Sequence, residues 1–202
     1  MKLIPEWYEH QYCLIAWPCN KDLYGKIINK ARDEVANVIN EIAKTEHVIV
    51  FSNKEDINEI QNKTDHKNID IIECKLDDSW MRDIAPIFYN EDEKLKSISF
   101  EFNGYGKYPG YLNDNKISKF ISNYLNIPTK TSDLVIEGGG ITYDDKKNLF
   151  STKSVIFNKN RKQKYSSEYI IKEFKLLFDL NHIFLFENGL KDDDTDGHVD
   201  NI

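Results

Sequence analysis

The segment DDDTDGHVDNI places five carboxylates and one histidine between Asp192 and Ile202. His198 and Asp200 are two positions apart, so on an extended segment both side chains project to one side. A histidine beside a carboxylate has a raised pKa and a fixed orientation, the usual arrangement for proton transfer. The same stretch fits the opening of a calcium loop, D-x-D-x-D-G, through Asp192, Asp194, Asp196 and Gly197. Against calcium, the glutamate expected at the loop's twelfth position falls beyond Ile202. The preceding NHIFLFENGL also reads as a strand, not an entering helix. A solvated acidic end is a third reading.

Two other stretches could share a site with His198. In DDSWMRDIAP, Trp80, Arg82 and Asp83 lie between an acidic turn and an apolar strand. A carboxylate beside an indole could hold a planar cation, gripped at its edge and covered on its face. A structural Arg–Asp pair with a core tryptophan is the plainer alternative. In VIEGGG, Glu137 ends an apolar strand, and the glycines at 138–140 permit unusual backbone angles or a close approach. This is no phosphate loop, because Ile141-Thr142 stands where Lys-Ser/Thr is required; a simple glycine turn is the alternative. Were Asp83, Glu137, Asp200 and His198 together, three carboxylates would share a buried site with no protein cation, at high cost. A guanidinium ligand would resolve that cost, being the best geometric match for paired carboxylates.

The elements that must position these residues follow an α/β pattern. YCLIAWP reads as a buried strand. A helix over about 22–44 shows an apolar stripe of Leu23, Ile27, Ala31, Val35, Val38 and Ile42. HVIVFS is the next strand, completing a βαβ order. Strands are expected at 69–75, 84–90, 97–103 and 182–187. Segments 134–144 and 148–156 read as a strand pair. Helices are expected at about 115–125 and 166–178, the latter with Ser166 as N-cap. Three helices at intervals of roughly 70 residues hint at a structural repeat.

With 202 residues, 40% hydrophobic and 30% charged, the chain is long enough for a sizeable core. A net charge of −7 disfavours nucleic acid and suits a cationic small molecule. Cys13, Cys19 and Cys74 form no C-x-x-C pair, which weakens zinc and points to a reducing, cytoplasmic setting. No signal peptide is evident, and the longest apolar run, Cys13–Trp17, falls far short of the ~20 residues that span a bilayer.

WMRD, FNGYG, EGGG and DTDGHVDN, in this order, resemble the agmatine deiminase branch of the guanidine-modifying enzymes, itself similar to the bacterial peptidylarginine deiminases. PEWYEHQYCLIAWP and NKNRKQKYSSEYI extend the resemblance over about residues 5–202. It implies a five-bladed α/β propeller, of which this chain would supply about three blades as one incomplete domain. It implies hydrolysis of agmatine to N-carbamoylputrescine and ammonia, with no metal or organic cofactor. Asp83 and Asp200 would bind the guanidinium, His198 would move protons, and Trp80, Glu137 and Tyr105 would line the pocket. The family's nucleophile is a cysteine in a carboxy-terminal Gly-x-x-His-Cys-like segment that this sequence does not contain. The chain alone is therefore expected to be inactive. It would be a truncated gene product, one half of a split gene or a fragment of a longer protein; the alternative is a catalytically dead or split-subunit guanidino-compound binder, with a second chain or self-association completing the ring. Lys107 follows the GYG turn and adds a cation, which leaves agmatine against free or peptidyl arginine open. A calcium-binding acidic module is the rival from another class.

Overall fold

The computed structural model describes residues 2–65 and 67–202. Two compact units form: residues 9–81 with 112–114, and the remainder, comprising the chain through Tyr8, Arg82–Tyr111 and Asn115–Ile202. They are called here the amino-terminal and carboxy-terminal units. A short strand, β1 (Lys2–Leu3), belongs to the carboxy-terminal unit.

In the amino-terminal unit, β2 (Cys13–Ala16), β3 (Val48–Ser52) and β4 (Ile69–Glu73) form a parallel sheet in that order. All five residues of β3 are buried, as expected of a central β-branched strand. The connections are helical: α1 (Lys21–Tyr24) and α2 (Ile28–Ile42) before β3, then α3 (Ile57–Lys63) before β4. The single helix expected over 22–44 is thus interrupted. Gly25 takes φ +52°, ending α1, and a short 3-10 turn at Gly25–Ile27 resets the helical phase. Consequently Leu23, Ile27 and Val38 are 48%, 61% and 52% exposed, and the buried face runs through Arg32, Ala36 and Ile39. Arg32 can occupy that face because its guanidinium donates to the Pro18 carbonyl at 2.9 Å and pairs with Asp56 at 2.8 Å. Trp17, Ala36, Ile39, Ala43, Val48, Val50 and Ile60 complete the unit's core.

The carboxy-terminal unit holds two sheets. A helical turn, α4 (Met81–Ile84), replaces the start of the strand expected at Ile84, and places Asp83 on a turn. The strand begins later, as β5 (Ile87–Glu91), and forms a hairpin with β6 (Lys94–Glu101). Asp92 and Glu93 both take positive φ, the geometry that matches a two-residue turn to strand twist. Helix α5 (Ile117–Tyr124) then crosses to β7 (Thr129–Val135), parallel to β6. The second sheet repeats this order. Hairpin β8 (Ile141–Tyr143) and β9 (Asn148–Thr152) is followed by α6 (Lys153–Ile156) and α7 (Ser167–Phe178). Strand β10 (His182–Phe186) lies parallel to β9. Ser166 caps α7 by accepting from the Tyr169 N–H. The anticipated repeat is therefore a hairpin–helix–strand unit present twice, while the amino-terminal sheet is wholly parallel. Among the described residues the three sheets are open, none closed into a barrel. Leu3, Tyr89, Ile98, Leu134, Ile141, Leu149, Phe174 and Phe178 belong to one core that both carboxy-terminal sheets share.

Candidate active site

Three loops of the carboxy-terminal unit meet: α4, the glycine turn after β7, and the 193–200 segment. Glu137 is extended, and Gly138–Gly140 form a 3-10 turn after it. None of the three glycines has positive φ; what they supply is close approach. A Cβ on Gly138 would lie 2.1 Å from the Arg82 carbonyl oxygen, so that backbone runs directly against α4. A Cβ on Gly139 would lie 2.6 Å from both His198 Nδ1 and Asp200 Oδ2 and 2.8 Å from Asp83 Oδ1. Only a glycine lets these three side chains converge on one point.

Asp83 is buried, with Oδ1 accepting from the Gly139 N–H at 2.9 Å and Oδ2 from the Tyr105 hydroxyl at 2.7 Å. Burial pushes its carboxyl above the ordinary range, although His198, Tyr105 and Gly139 act against that. His198 is buried too, with Nδ1 3.6 Å from Asp83 and 4.0 Å from Asp200, and Nε2 3.5 Å from Glu137 Oε2. Burial alone would lower the imidazole; the Glu137, Asp83 and Asp200 carboxylates outweigh it and hold His198 above its usual value. At 3.5 Å the Nε2–Oε2 approach is an ionic contact, and both atoms are buried without a hydrogen bond. Asp200 is partly open and carries a guanidinium already, with Arg82 Nε 3.5 Å from its Oδ2.

The GYG turn is built to present Tyr105. Gly104, Tyr105 and Gly106 take φ +63°, +58° and +69° in succession. A left-handed tyrosine is uncommon and costs on the order of 1 kcal/mol, a form of strain that gathers at functional sites. A Cβ on Gly106 would sit 1.8 Å from the Asn160 carbonyl oxygen, fixing the turn against the 158–161 loop.

The expectation of three buried anions without a protein cation is corrected by Arg161. This residue is 0% exposed. Its Nε donates to Glu137 Oε1 at 2.8 Å, Nη1 to the Tyr105 carbonyl at 3.2 Å and to Asp196, and Nη2 to the Thr195 carbonyl at 2.7 Å. Its guanidinium also lies 5.7 Å from the Tyr105 ring centre. In sequence Arg161 is one of several cations in NKNRKQK, and nothing there marks it as the buried one.

The acidic segment is a knot around structural donors. Asp193 Oδ2 accepts from the Gly197 N–H at 2.9 Å and the His198 N–H at 3.2 Å, and so aims the histidine. Asp196 pairs with Arg161 and Lys107, and Lys107 also donates to the Asp194 carbonyl at 2.7 Å. Those pairings commit to protein cations a carboxylate the calcium reading needed, and commit Lys107 as well. Among the described residues no group of three or more His, Cys, Asp or Glu side chains is arranged to hold a metal ion. The expected extended path through GHVD is also corrected: Val199–Asn201 turn as a 3-10 helix, so Asp200 reaches the site from a bend.

Of the six residues singled out from sequence, Asp83, Tyr105, Glu137, His198 and Asp200 come together in one unit. Trp80 lies in the amino-terminal unit, exposed, with its indole donating to Asp78 at 3.0 Å. Cys13, Cys19 and Cys74 are also in the amino-terminal unit. Burial pushes all three thiols up, Cys19 to about 12 and Cys74 to about 11, the opposite of an activated thiolate.

Comparison with known proteins points to one family. A family model, the Porphyromonas-type peptidyl-arginine deiminase, matches residues 2–202. A Mycoplasma capricolum protein provisionally named an agmatine deiminase is 33% identical over 98% of this chain and 56% of its own length. The agmatine deiminase of Pseudomonas aeruginosa is 30% identical over 98% of this chain and 55% of its own. Among solved structures, a cysteine-to-serine variant of the C. jejuni agmatine deiminase with substrate bound superposes with a TM-score of 0.88. It is 27% identical over 98% of this chain and 60% of that one. The chain thus spans little more than half the length of the curated relatives it matches.

Proposed function

Because the chain belongs to the Porphyromonas-type peptidyl-arginine deiminase family, we propose that its carboxy-terminal unit forms the guanidinium-binding side of an agmatine deiminase-type active site. The observation that carries this is the convergence of Asp83, Glu137, His198 and Asp200 around Gly139, with Glu137 Oε2 and His198 Nε2 buried and unbonded. Buried polar atoms without partners are costly, and a ligand rich in N–H groups meets the carboxylate of such a pair. Asp83 and Asp200 bind the guanidinium nitrogens. Arg82, already against Asp200, supports that carboxylate's capacity for such a partner. Tyr105 and Glu137 line the pocket, Tyr105 by holding Asp83.

The reaction is hydrolysis of agmatine to N-carbamoylputrescine and ammonia. A thiolate attacks the guanidinium carbon, His198 protonates the departing ammonia, and the imidazole then takes a proton from the water that releases the ureido product. The attacking thiolate is not one of this chain's cysteines, given their burial and raised pKa values. The 202 residues are accordingly proposed as part of one α/β propeller domain that binds the substrate but does not turn it over alone. The nucleophile would come from outside these 202 residues. The acidic balance and the lack, among the described residues, of a helix long and apolar enough to cross a membrane fit a small cationic partner in the cytoplasm.

The test is an assay for ureido product from agmatine, with the native chain and with a variant lacking all three cysteines. Both are expected to give none. Turnover that survives in the cysteine-free variant would contradict thiolate chemistry. Turnover lost with one cysteine would identify that residue as the nucleophile.

A further inference from the structure

The geometry assigns Arg161 as the positioning residue of this site: one buried guanidinium that fixes Glu137, Tyr105 and the approach to His198 together, and leaves Glu137 a single free oxygen aimed at His198. The inference rests on the proposed function for its ligand but not for its geometry. Arg161 Nε occupies Glu137 Oε1 at 2.8 Å, so only Oε2 remains, 3.5 Å from His198 Nε2. Nη1 donates to the backbone carbonyl of Tyr105 at 3.2 Å, and that residue's hydroxyl holds Asp83 at 2.7 Å. Nη2 donates to the Thr195 carbonyl at 2.7 Å, and the Thr195 hydroxyl accepts from the His198 N–H at 3.3 Å. The same side chain thus binds Glu137 directly and reaches Asp83 and His198 through one intervening residue each, Tyr105 and Thr195.

The planar fork matters more than the charge. A lysine has a point charge and cannot span Glu137, Tyr105 and Thr195 from one position. The charge matters separately, because it lies against Glu137, whose other oxygen faces His198. Removing that fixed cation makes His198 hold its proton to higher pH. The titratable and charged groups that face His198 are Asp83, Glu137 and Asp200, with Asp193 at its backbone.

The test uses the full chain and three readouts: the His198 titration by NMR, the agmatine dissociation constant, and the thermal midpoint. Arg161→Lys is expected to fold and keep the His198 midpoint while agmatine affinity falls about tenfold or more. Arg161→Gln is expected to raise the His198 midpoint by about one unit. Both variants folded, with His198 and agmatine affinity unchanged, would overturn the assignment. If neither variant folds, the native chain decides: the Arg161 Nε–H resonance should shift with the His198 midpoint, and a resonance indifferent to that midpoint would overturn it. Failure of the native chain to bind agmatine would remove the proposed substrate; the response of the Arg161 Nε–H resonance to the His198 titration would still stand or fall by itself.

Discussion

Asp83 and Asp114 are both buried aspartates held above the ordinary carboxylate range, yet their surroundings differ in kind. Asp114, in the amino-terminal unit, sits beside Asp77 and Asp78. Its Oδ1 accepts from their N–H groups at 2.8 and 3.4 Å, and burial pushes it to about 7. Asp77 in turn accepts from the Asn113 N–H and side chain, both at 2.7 Å. Those carboxylates staple backbone to backbone. Asp83 instead stands in a group with His198, and next to a Glu137 that Arg161 neutralises; Glu137 Oε2 and His198 Nε2 are buried there in ionic contact without a hydrogen bond. The contrast separates a buried acid that holds a turn from one that we propose receives a cation. A raised pKa alone does not distinguish them.

The sharpest way to break the contrast is to remove the cation. Arg161→Ala leaves Glu137 without its buried cation and Asp196 with Lys107 alone, and should cost about 3–5 kcal/mol in chemical denaturation. Next is Asp83→Asn. It should weaken agmatine binding by about 1.5–3 kcal/mol while leaving the thermal midpoint nearly unchanged, because the buried charge it removes was itself unfavourable. Calorimetry reads the first quantity and a thermal melt the second. With native Asp83, agmatine affinity should fall as pH drops through its raised pKa, since only the carboxylate binds a guanidinium.

Asp114→Asn should act through pH. The folded chain keeps a proton between about pH 4 and 7 that the unfolded chain has lost, so stability declines as pH rises through that window and is level above it. The amide should abolish that slope and stabilise the chain at pH 8 by on the order of 2 kcal/mol, with agmatine affinity unchanged. A smaller effect is expected from Gly139→Ala, whose Cβ would intrude on His198, Asp200 and Asp83, with about a tenfold loss of agmatine affinity. Gly110→Ala, with nothing within 4 Å of its Cβ, is the control.

Sequence pattern carried the local elements well where periodicity and caps agree. The βαβ order, the helix expected at 166–178 and its Ser166 cap all follow from local side-chain chemistry. It failed where a backbone event resets the phase, as at Gly25, or where charge pairs across long separations, as at Arg32. At the site, Asp83, Glu137, His198 and Asp200 were legible because their types stand out beside glycines and a tryptophan. Arg161 was not, since which cation of a basic loop becomes buried depends on Glu137, Tyr105 and Asp196, 24, 56 and 35 positions away. In sequence Asp193 is one of a run of acidic residues with nothing to mark it, yet its carboxylate ties the turn that aims His198.

We propose that a guanidinium settles among Asp83, Glu137, His198 and Asp200. An NMR titration of agmatine against the native chain tests this most directly, following the His198 ring resonances. The account predicts a saturable shift of His198, absent in Asp83→Asn, with no ureido product in the same sample. His198 resonances that ignore agmatine, or move equally in Asp83→Asn, would contradict it.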